Sequence, residues 1–368
     1  MQLENNKKPK ARFPFNKIYR EEIAPVLKTY EVQRKTMAIK LVCLYSLFCI
    51  LFIGCFVVLV LSLFPPYTMV FGPLCSIILL FASIFLYIKT TKIHKKFIVD
   101  MKRDCLPIVL KHFGEIQWMY DRKIVSDYDL KSSGLFATYN KRLVDDEFQG
   151  VYKGVNYKIS ETHMIYESGS GKNRTVISIF KGVVFSFDLN KTINNRTIVS
   201  TKGDLTQKNS YWVFLLMFLG PTLQILLSKD RNLIFLLIIA LIFFCIFIYF
   251  YIEGKKYEKP LDKVNLEDPM FSKKFDVYSS DQIEARFWIT PAFMERFQNL
   301  KTSFGAKKAK CSFYDDKLLI AIHTNKNLFE VGEVFKTLEN PATIRKFYKE
   351  LSSINELIDY LKIHEKVL

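Results

Sequence analysis

Four long apolar segments without a charged side chain dominate the hydropathy pattern of the chain. They cover residues 41–64, 67–88, 210–228 and 232–252. A helix needs roughly 20 apolar residues to cross the roughly 30 Å hydrocarbon core of a bilayer. The pattern therefore predicts four transmembrane helices in two hairpins, at residues 37–89 and 209–253.

Between the hairpins the pattern changes to the two-residue alternation of β-strands. Ile177 and Ile179 alternate with polar residues, and Val183, Phe185 and Phe187 continue the strand. This alternation predicts antiparallel strands over residues 147–201. Gly182, in the middle of the longest strand, is placed for a bulge or a close backbone approach.

After the second hairpin, helix-start signals predominate. Asp281 with Glu284 three residues later forms a capping box. Thr290-Pro291 and Asn340-Pro341 each place a cap residue before a proline. A hairpin turn is predicted at Asp315-Asp316. The sequence thus predicts an α+β domain: a cytosolic antiparallel sheet with flanking helices, attached to four transmembrane helices in two hairpins.

The second apolar hairpin divides this domain in the sequence. We expect a juxtamembrane helix in 1–36, the first hairpin in 37–89, a cytosolic helical connector in 90–145, the first part of the domain in 146–208, the inserted hairpin in 209–253, the second part in 254–330 and a C-terminal helix in 331–368. Neither part alone offers enough strands for a sizeable core.

Charge favours one orientation in the membrane. The formal net charge is +17, and lysines gather at the ends of the apolar hairpins, where positive residues mark the cytoplasmic side. Both termini are therefore expected in the cytoplasm of a multi-pass protein of the bacterial inner membrane. We name the clustered residues the basic cuff: Lys89, Lys92, Lys95, Lys96, Lys255, Lys256 and Lys259.

Two interpretations of the basic cuff stay open. Its lysines bind anionic lipid headgroups, or they set topology only. Nucleic acid is not expected as a partner, because the charges lie next to apolar segments and are not interleaved with aromatic residues. A protein partner of unknown identity is expected.

Cysteine use indicates a reduced compartment. Five of the seven cysteines lie in apolar segments, which leaves Cys105 and Cys311 in soluble parts. The sequence has no CxxC pair and only scattered histidines, so neither a disulfide framework nor a zinc site is expected. Cys105 and Cys311 should both be cytosolic, and a membrane-impermeant thiol reagent should reach them only after lysis.

No catalytic, cofactor or metal residue can be assigned from motifs. Gly169 to Lys172 fails the phosphate-loop pattern, since Tyr166 replaces its first glycine and Asn173 its hydroxyl residue. The acidic run 145–147, beside Glu161, has two interpretations: a metal or acid/base site, or a solvated charge run at a strand entry. The second is favoured, and no cofactor is expected.

The soluble segments resemble a known family. Four runs of sequence carry the resemblance: SGLFATYNKRLVDDEFQGVYKGVNYKISETH from Ser133, IFKGVVFSFDLNKTINNRTIV from Ile179, FSKKFDVYSSDQIEARFWITPAFMERF from Phe271 and DKLLIAIHTNKNLFE from Asp316. They are similar to the bacterial membrane family of domain of unknown function 3137. The resemblance implies a membrane-attached domain and supplies no functional residue. The apolar hairpin between Asp204 and Lys259 is a departure from the short connection that the resemblance implies.

Three functions follow in order of preference. The favoured one is a membrane-anchored cytosolic binding or scaffold module. The alternative is an accessory subunit or component of a membrane transport system. However, the four apolar segments contain none of the ionisable side chains that mark an ion route. The third is an enzyme with an unrecognised site.

Overall fold

The computed structural model of the chain describes residues 15–62, 71–120, 122–189, 191–204 and 261–365. The second predicted hairpin, 209–253, lies outside the described residues, as do Lys255, Lys256 and Lys259.

Two long helices form the N-terminal part. A short helix α1 (Phe15–Ile18) and a π-helical turn lead into α2 (Ala24–Leu61), which is followed by α3 (Phe71–Leu110). Both long helices contain a segment long and apolar enough to cross a membrane. Side chains such as Phe81 and Phe85 are exposed on α3, as expected of a surface covered by lipid. Of the four predicted spans, these are the two that the structure describes.

Helix α3 ends at Leu110, inside the segment 90–145 that the sequence predicted to be a helical connector. A 3-10 turn and Gly114, at a φ of 103°, end the helical course. The next residues, Glu115 to Tyr120, form a strand in place of the predicted helix. Glycine permits this positive φ at little steric cost, so the chain reverses there and pairs with the sheet.

All described strands join one nine-stranded sheet in the order β1-β2-β3-β4-β9-β8-β5-β7-β6. Every neighbouring pair is antiparallel. The predicted combination of helices and an antiparallel sheet is therefore confirmed. The strands are β1 (Glu115–Tyr120), β2 (Lys141–Tyr152), β3 (Val155–Ser168), β4 (Thr175–Asp188), β5 (Thr197–Thr201), β6 (Asp262–Lys263), β7 (Phe275–Ser279), β8 (Lys308–Tyr314) and β9 (Lys317–His323).

Five further helices in the described part of the chain flank the sheet, and the three predicted cap residues, Asp281, Thr290 and Asn340, each precede one of them. They are α4 (Asp127–Ser132), α5 (Pro269–Lys274), α6 (Gln282–Trp288), α7 (Pro291–Ser303) and α8 (Pro341–Glu365). The Asp281 carboxylate accepts hydrogen bonds from the backbone N–H groups of Ile283 and Glu284. Thr290 accepts one from Phe293 N–H in the same way.

Aromatic side chains fill the larger core, which lies between one face of the sheet and helices α3, α7 and α8. Phe148 of β2, Phe185 of β4 and Phe347 of α8 are all 1% exposed or less. Burying each such side chain contributes about 1.5–3 kcal/mol. A smaller cluster around Leu130 and Phe180 covers the other face of the sheet.

Gly182 provides the close backbone approach that the strand pattern predicted. A Cβ atom at this position would lie 2.0 Å from the carbonyl oxygen of Ile322 on β9. The φ of 150° is also one that other residues rarely adopt. Glycine here therefore lets β9 pair with β4 beside the β2–β3 segment that carries the acidic residues.

The two soluble-part cysteines are buried, which corrects the expected labelling result. Cys105 is 1% exposed and Cys311 is 0% exposed. Burial also raises the pKa of both thiols above the ordinary value. A thiol reagent would therefore not reach either side chain in the folded protein, even from the side of the membrane that faces it.

Candidate functional site

A β-bulge brings three carboxylates together at one end of the sheet. Val144 pairs with Thr162 and Glu147 pairs with Ser160, so Asp145 and Asp146 lie opposite the single residue Glu161. A bulge with two residues opposite one bends the strand and redirects side chains. The predicted acidic run thus contributes two side chains to a site that also contains Glu161.

The three carboxylates line a cleft between α3 and the sheet, which we name the α3 cleft. Its volume is about 690 Å³. One wall is a single face of α3, because its contributing residues recur at three- and four-residue steps from Thr91 to Lys102. The opposite wall is formed by β1 to β4, and residues 325–330 after β9 close one side.

Lys102 holds the deep end of the cleft together. Its ammonium nitrogen lies 2.5 Å from Asp146 Oδ2 and 2.9 Å from Glu330 Oε1. Trp118 Nε1 donates a hydrogen bond of 2.8 Å to the other oxygen of Asp146. Burial alone would lower the pKa of Lys102, but the two carboxylates raise it above its usual value. Lys102 is therefore a permanent cation at neutral pH.

Glu161 is a carboxylic acid that stays protonated at neutral pH. Burial raises the pKa of its carboxyl to about 9, although a hydrogen bond from Leu328 N–H opposes this shift and nearby Asp146 and Asp145 add to it. The Leu328 N–H lies 3.2 Å from Glu161 Oε1. A neutral carboxyl in a cleft can donate a hydrogen bond to a ligand or a proton to a reacting group.

Several charged side chains face the cleft without an ion-pair partner among the described residues. They are Asp145 on the sheet wall, Lys95 on α3, Lys181 on β4 and Lys326 in the loop after β9. The Lys95 ammonium lies 5.8 Å from the centre of the Tyr120 ring, in a cation–π contact. The cleft therefore offers acidic and basic groups to the same small volume.

Three carboxylates of the cleft are close enough to meet at one cation. Asp145, Asp146 and Glu330 each bring an oxygen within 4.8 Å of the other two. However, the Lys102 ammonium already bonds to two of these three groups. A metal ion would have to compete with that positive charge, so the donor set fits a lysine-centred ion-pair network better than a divalent cation.

The interpretation of residues 145–147 as a solvated charge run is wrong for two of its three members. Asp146 is 1% exposed and Glu147 is 0% exposed. Glu147 faces the other side of the sheet, where it accepts hydrogen bonds from Ser160 Oγ at 2.7 Å and from Ile124 N–H. Only Asp145 is exposed, and it lines the cleft.

Both long helices hold the loop that closes the cleft. From α2, Arg34 donates a hydrogen bond of 2.7 Å to the Val334 carbonyl oxygen, and Glu31 accepts one of 3.0 Å from Leu338 N–H. From α3, Lys102 binds Glu330 in the same loop. A ligand in the cleft would therefore contact α3 directly and, at residues 325–330, a loop that is also held by α2.

The described part of the basic cuff lies beside the cleft. Lys89, Lys92, Lys95 and Lys96 are all exposed on α3, and Lys95 also lines the cleft. The sequence did not indicate Lys102, Trp118 or Glu330 as site residues. The alternation of apolar Ile116, Trp118 and Tyr120 with their neighbours was a usable signal for β1, but no local pattern marks Lys102 or Glu330.

Comparison with known proteins yields a family and no close relative. No curated protein and no solved structure gives a significant match to the chain. A family model described as "Protein of unknown function (DUF3137)" matches residues 178–363. The match begins in β4 and ends in α8, and so includes the loop that carries Glu330. The chain belongs to this family of proteins of unknown function, DUF3137.

Proposed function

We propose that this protein is a membrane-anchored binding module whose ligand site is the α3 cleft. In this account α2 and α3 cross the bacterial inner membrane, and the inserted hairpin at 209–253 crosses it again. The domain and both termini then lie in the cytoplasm. The lysine distribution supports that orientation, and the exposed apolar side chains of α2 and α3 support the first two spans.

One observation carries the proposal: the cleft is open and exposes charged groups of both signs that have no ion-pair partner in the described structure. Unpaired charges of this kind cost little free energy while water solvates them. They become available for ion pairs when a ligand displaces that water. Asp145 and the protonated Glu161 suit a cationic or hydrogen-bonding group. Lys95 and Lys181 suit an anionic one. The expected ligand is a small polar molecule that carries both kinds of group.

The position of the cleft supports a role at the membrane surface. The predicted span ends at Ile88. Thr91, which lines the cleft, lies about 4.5 Å further along the helix axis. The cleft therefore opens next to the bilayer. A ligand that reaches it from the membrane surface or the adjacent cytoplasm would contact α3 within its first turns outside the lipid.

Native mass spectrometry of the full chain, isolated in nanodiscs directly from its own membranes, tests the proposal. The variant Val99→Trp fills the cleft from the α3 wall, and Lys96→Trp adds the same indole at an exposed position of the same helix. We expect wild type and Lys96→Trp to carry an additional small-molecule mass that Val99→Trp lacks. A wild-type protein without such a mass, or its retention in Val99→Trp, would refute the proposal.

The orientation has its own test, which uses a cysteine that reagents can reach. Ile283 on α6 is 81% exposed, so the variant Ile283→Cys presents an accessible thiol on the soluble domain. A membrane-impermeant maleimide should label it after lysis and leave it unmodified in whole cells. Labelling in whole cells would overturn the cytoplasmic placement of the domain.

An enzyme is the second candidate, and it is favoured by Glu161. A carboxyl with a pKa of about 9 on the wall of an open cleft carries the proton that a general acid needs at neutral pH. The variant Glu161→Gln keeps the shape but removes the proton. If the protein is an enzyme, the small molecule bound to Glu161→Gln should differ in mass from that bound to wild type, because substrate accumulates. Identical masses favour a binding module.

A further inference from the structure

The tip of the β3–β4 hairpin projects beyond the other strands. The sheet has two ends along the strand direction, and at one of them β9 ends at His323. His323 pairs with both Gly182 of β4 and Lys308 of β8. From Gly182, β4 continues back to Thr175, a distance of about 23 Å at roughly 3.3 Å per residue. On the other side of the hairpin, β2 pairs with β3 as far as Lys141 and Ile165. Only residues 166–177 therefore extend as a two-stranded arm past both neighbouring strands.

The arm points along α3 toward the candidate membrane span. Strand β1 begins just after the end of α3, and its last residue, Tyr120, lies beside Lys95 near the start of the soluble part of α3. Thus β1 runs back along α3. Because β1, β2 and β3 are successively antiparallel, β3 runs in the same direction as β1, and its end at Ser168 faces the membrane side.

The reach of the β3–β4 hairpin from the bulge matches the distance to the membrane. Lys102 contacts Asp146, which lies opposite Glu161 in the bulge. From that level, Ile88 at the end of the predicted span is about 21 Å away along α3 at 1.5 Å per residue. From the same level, Ser168 at the tip is about 23 Å away along β3. The tip therefore reaches the level at which α3 enters the lipid.

A second connection leaves the sheet at the same end of the strands. Ser200 of β5 pairs with Lys310 of β8, and the Thr201 hydroxyl bonds to Ala309. The end of β5 thus lies beside the start of β8, at the end of the sheet from which the arm projects. The chain is described to Asp204, and the next predicted apolar span begins at residue 210. The described chain thus leaves the sheet at this end, shortly before the next predicted span.

The tip carries side chains suited to a lipid surface. Val176 is 54% exposed and Ile177 is 50% exposed on adjacent positions of β4, so both faces of the strand present apolar groups. Arg174 precedes them and is exposed, and its guanidinium lies 2.9 Å from the Glu167 carboxylate on β3. This ion pair leaves the charge of Arg174 compensated, so the exposed apolar side chains are what favours the interface between headgroups and acyl chains.

We propose that the tip of the β3–β4 hairpin, residues 166–177, docks into the headgroup layer of the bilayer that anchors the protein. This inference rests on the membrane anchoring in the proposed function but not on the ligand of the cleft. Docking fixes the sheet wall of the α3 cleft against the membrane independently of α3, so the cleft is bounded by two elements that both contact lipid.

Site-specific photocrosslinking in nanodiscs that contain phosphatidylglycerol tests the proposal. The photoreactive residue benzoylphenylalanine replaces Ile177 in the full chain. The matched control replaces Ile283, an isoleucine that is 81% exposed on α6. Helix α6 follows Ser279, which pairs with Thr197 at the opposite end of the strands. A third position, Phe81 on α3, reports whether the apolar helices are in lipid.

We expect lipid adducts, detected by mass spectrometry, at positions 177 and 81 and none above background at position 283. Adducts at 81 but not at 177 would overturn hairpin docking and leave the membrane anchor intact. A lack of adducts at both 81 and 177 would overturn the anchor as well as the docking. Equal adduct yields at 177 and 283 would show non-specific contact and would also overturn the docking.

Discussion

Replacement of Lys102 by methionine should strongly destabilise the soluble domain at neutral pH. Lys102 is 4% exposed and supplies the cation between Asp146 and Glu330. Removing one partner of a buried ion pair costs about 3–5 kcal/mol. An independent route gives a similar figure, since protonating a carboxyl of unfolded pKa about 3.9 at pH 7 costs about 4 kcal/mol.

The cost should depend on pH, and its sign follows from proton linkage. Without the ammonium, burial raises the pKa of Asp146 in the folded state above its unfolded value. The folded variant then binds more protons than the unfolded chain, so its stability falls as pH rises. Protonating the same carboxyl costs only about 1.5 kcal/mol at pH 5. Acid should therefore rescue most of the lost stability.

Thermal unfolding of the full chain in detergent, followed by near-ultraviolet circular dichroism, measures this effect. At about 2–4 °C per kcal/mol for a domain of this size, we expect the midpoint of Lys102→Met to fall by about 6–20 °C at pH 7. The exposed residue Lys96 provides the control Lys96→Met, which should unfold within about 2 °C of wild type. If the two variants unfold alike, or if pH 5 brings no rescue, the ion-pair network is not what the geometry indicates.

Three further predictions concern stability. Gly182→Ala should cost about 2–4 kcal/mol, because the new Cβ meets the Ile322 carbonyl oxygen; an unchanged unfolding midpoint would contradict the close approach. A hydrogen bond from Arg34 helps lower the pKa of Glu31 to about 2, so Glu31 should stabilise the Leu338 loop above about pH 4.3 and lose that effect as pH falls toward 2. Hydrogen exchange of the loop at pH 3 and pH 6 measures this loss, and equal protection at both pH values would refute the prediction. Because the folded pKa of Glu161 is about 9, wild-type stability should decrease from about pH 4.3 to 9 more steeply than that of Glu161→Gln, and parallel curves would count against a protonated carboxyl.

Local signals in the sequence were sufficient for much of the secondary structure. Helices α6 and α7 begin where Asp281 and Thr290 predicted, since a cap satisfies backbone N–H groups only two or three residues away. The β8–β9 hairpin turns at Asp315 and Asp316, both with positive φ, as the turn pattern predicted. These features depend on neighbouring residues and hence on information that a single sequence contains.

The candidate site could not be predicted in the same way, because its contacts are distant in sequence. Lys102 reaches Asp146 across 44 positions and Glu330 across 228. Without knowledge of the strand order, an acidic run at a strand entry is best interpreted as solvated. The bulge that turns Asp145 and Asp146 toward Glu161 depends on the pairing register of β2 with β3, which the hydrophobic pattern alone does not specify there.

The central claim, that the α3 cleft is a ligand site at the membrane surface, can be tested most directly by experimental density. A cryo-electron-microscopy or crystal structure of the full chain, isolated in nanodiscs from its own membranes, would show the cleft with its native contents. We expect non-protein density in contact with Asp145, Glu161 and Lys181 in wild type, and its loss in Val99→Trp. A cleft that contains only water in wild type, or the same density in both proteins, would contradict the account.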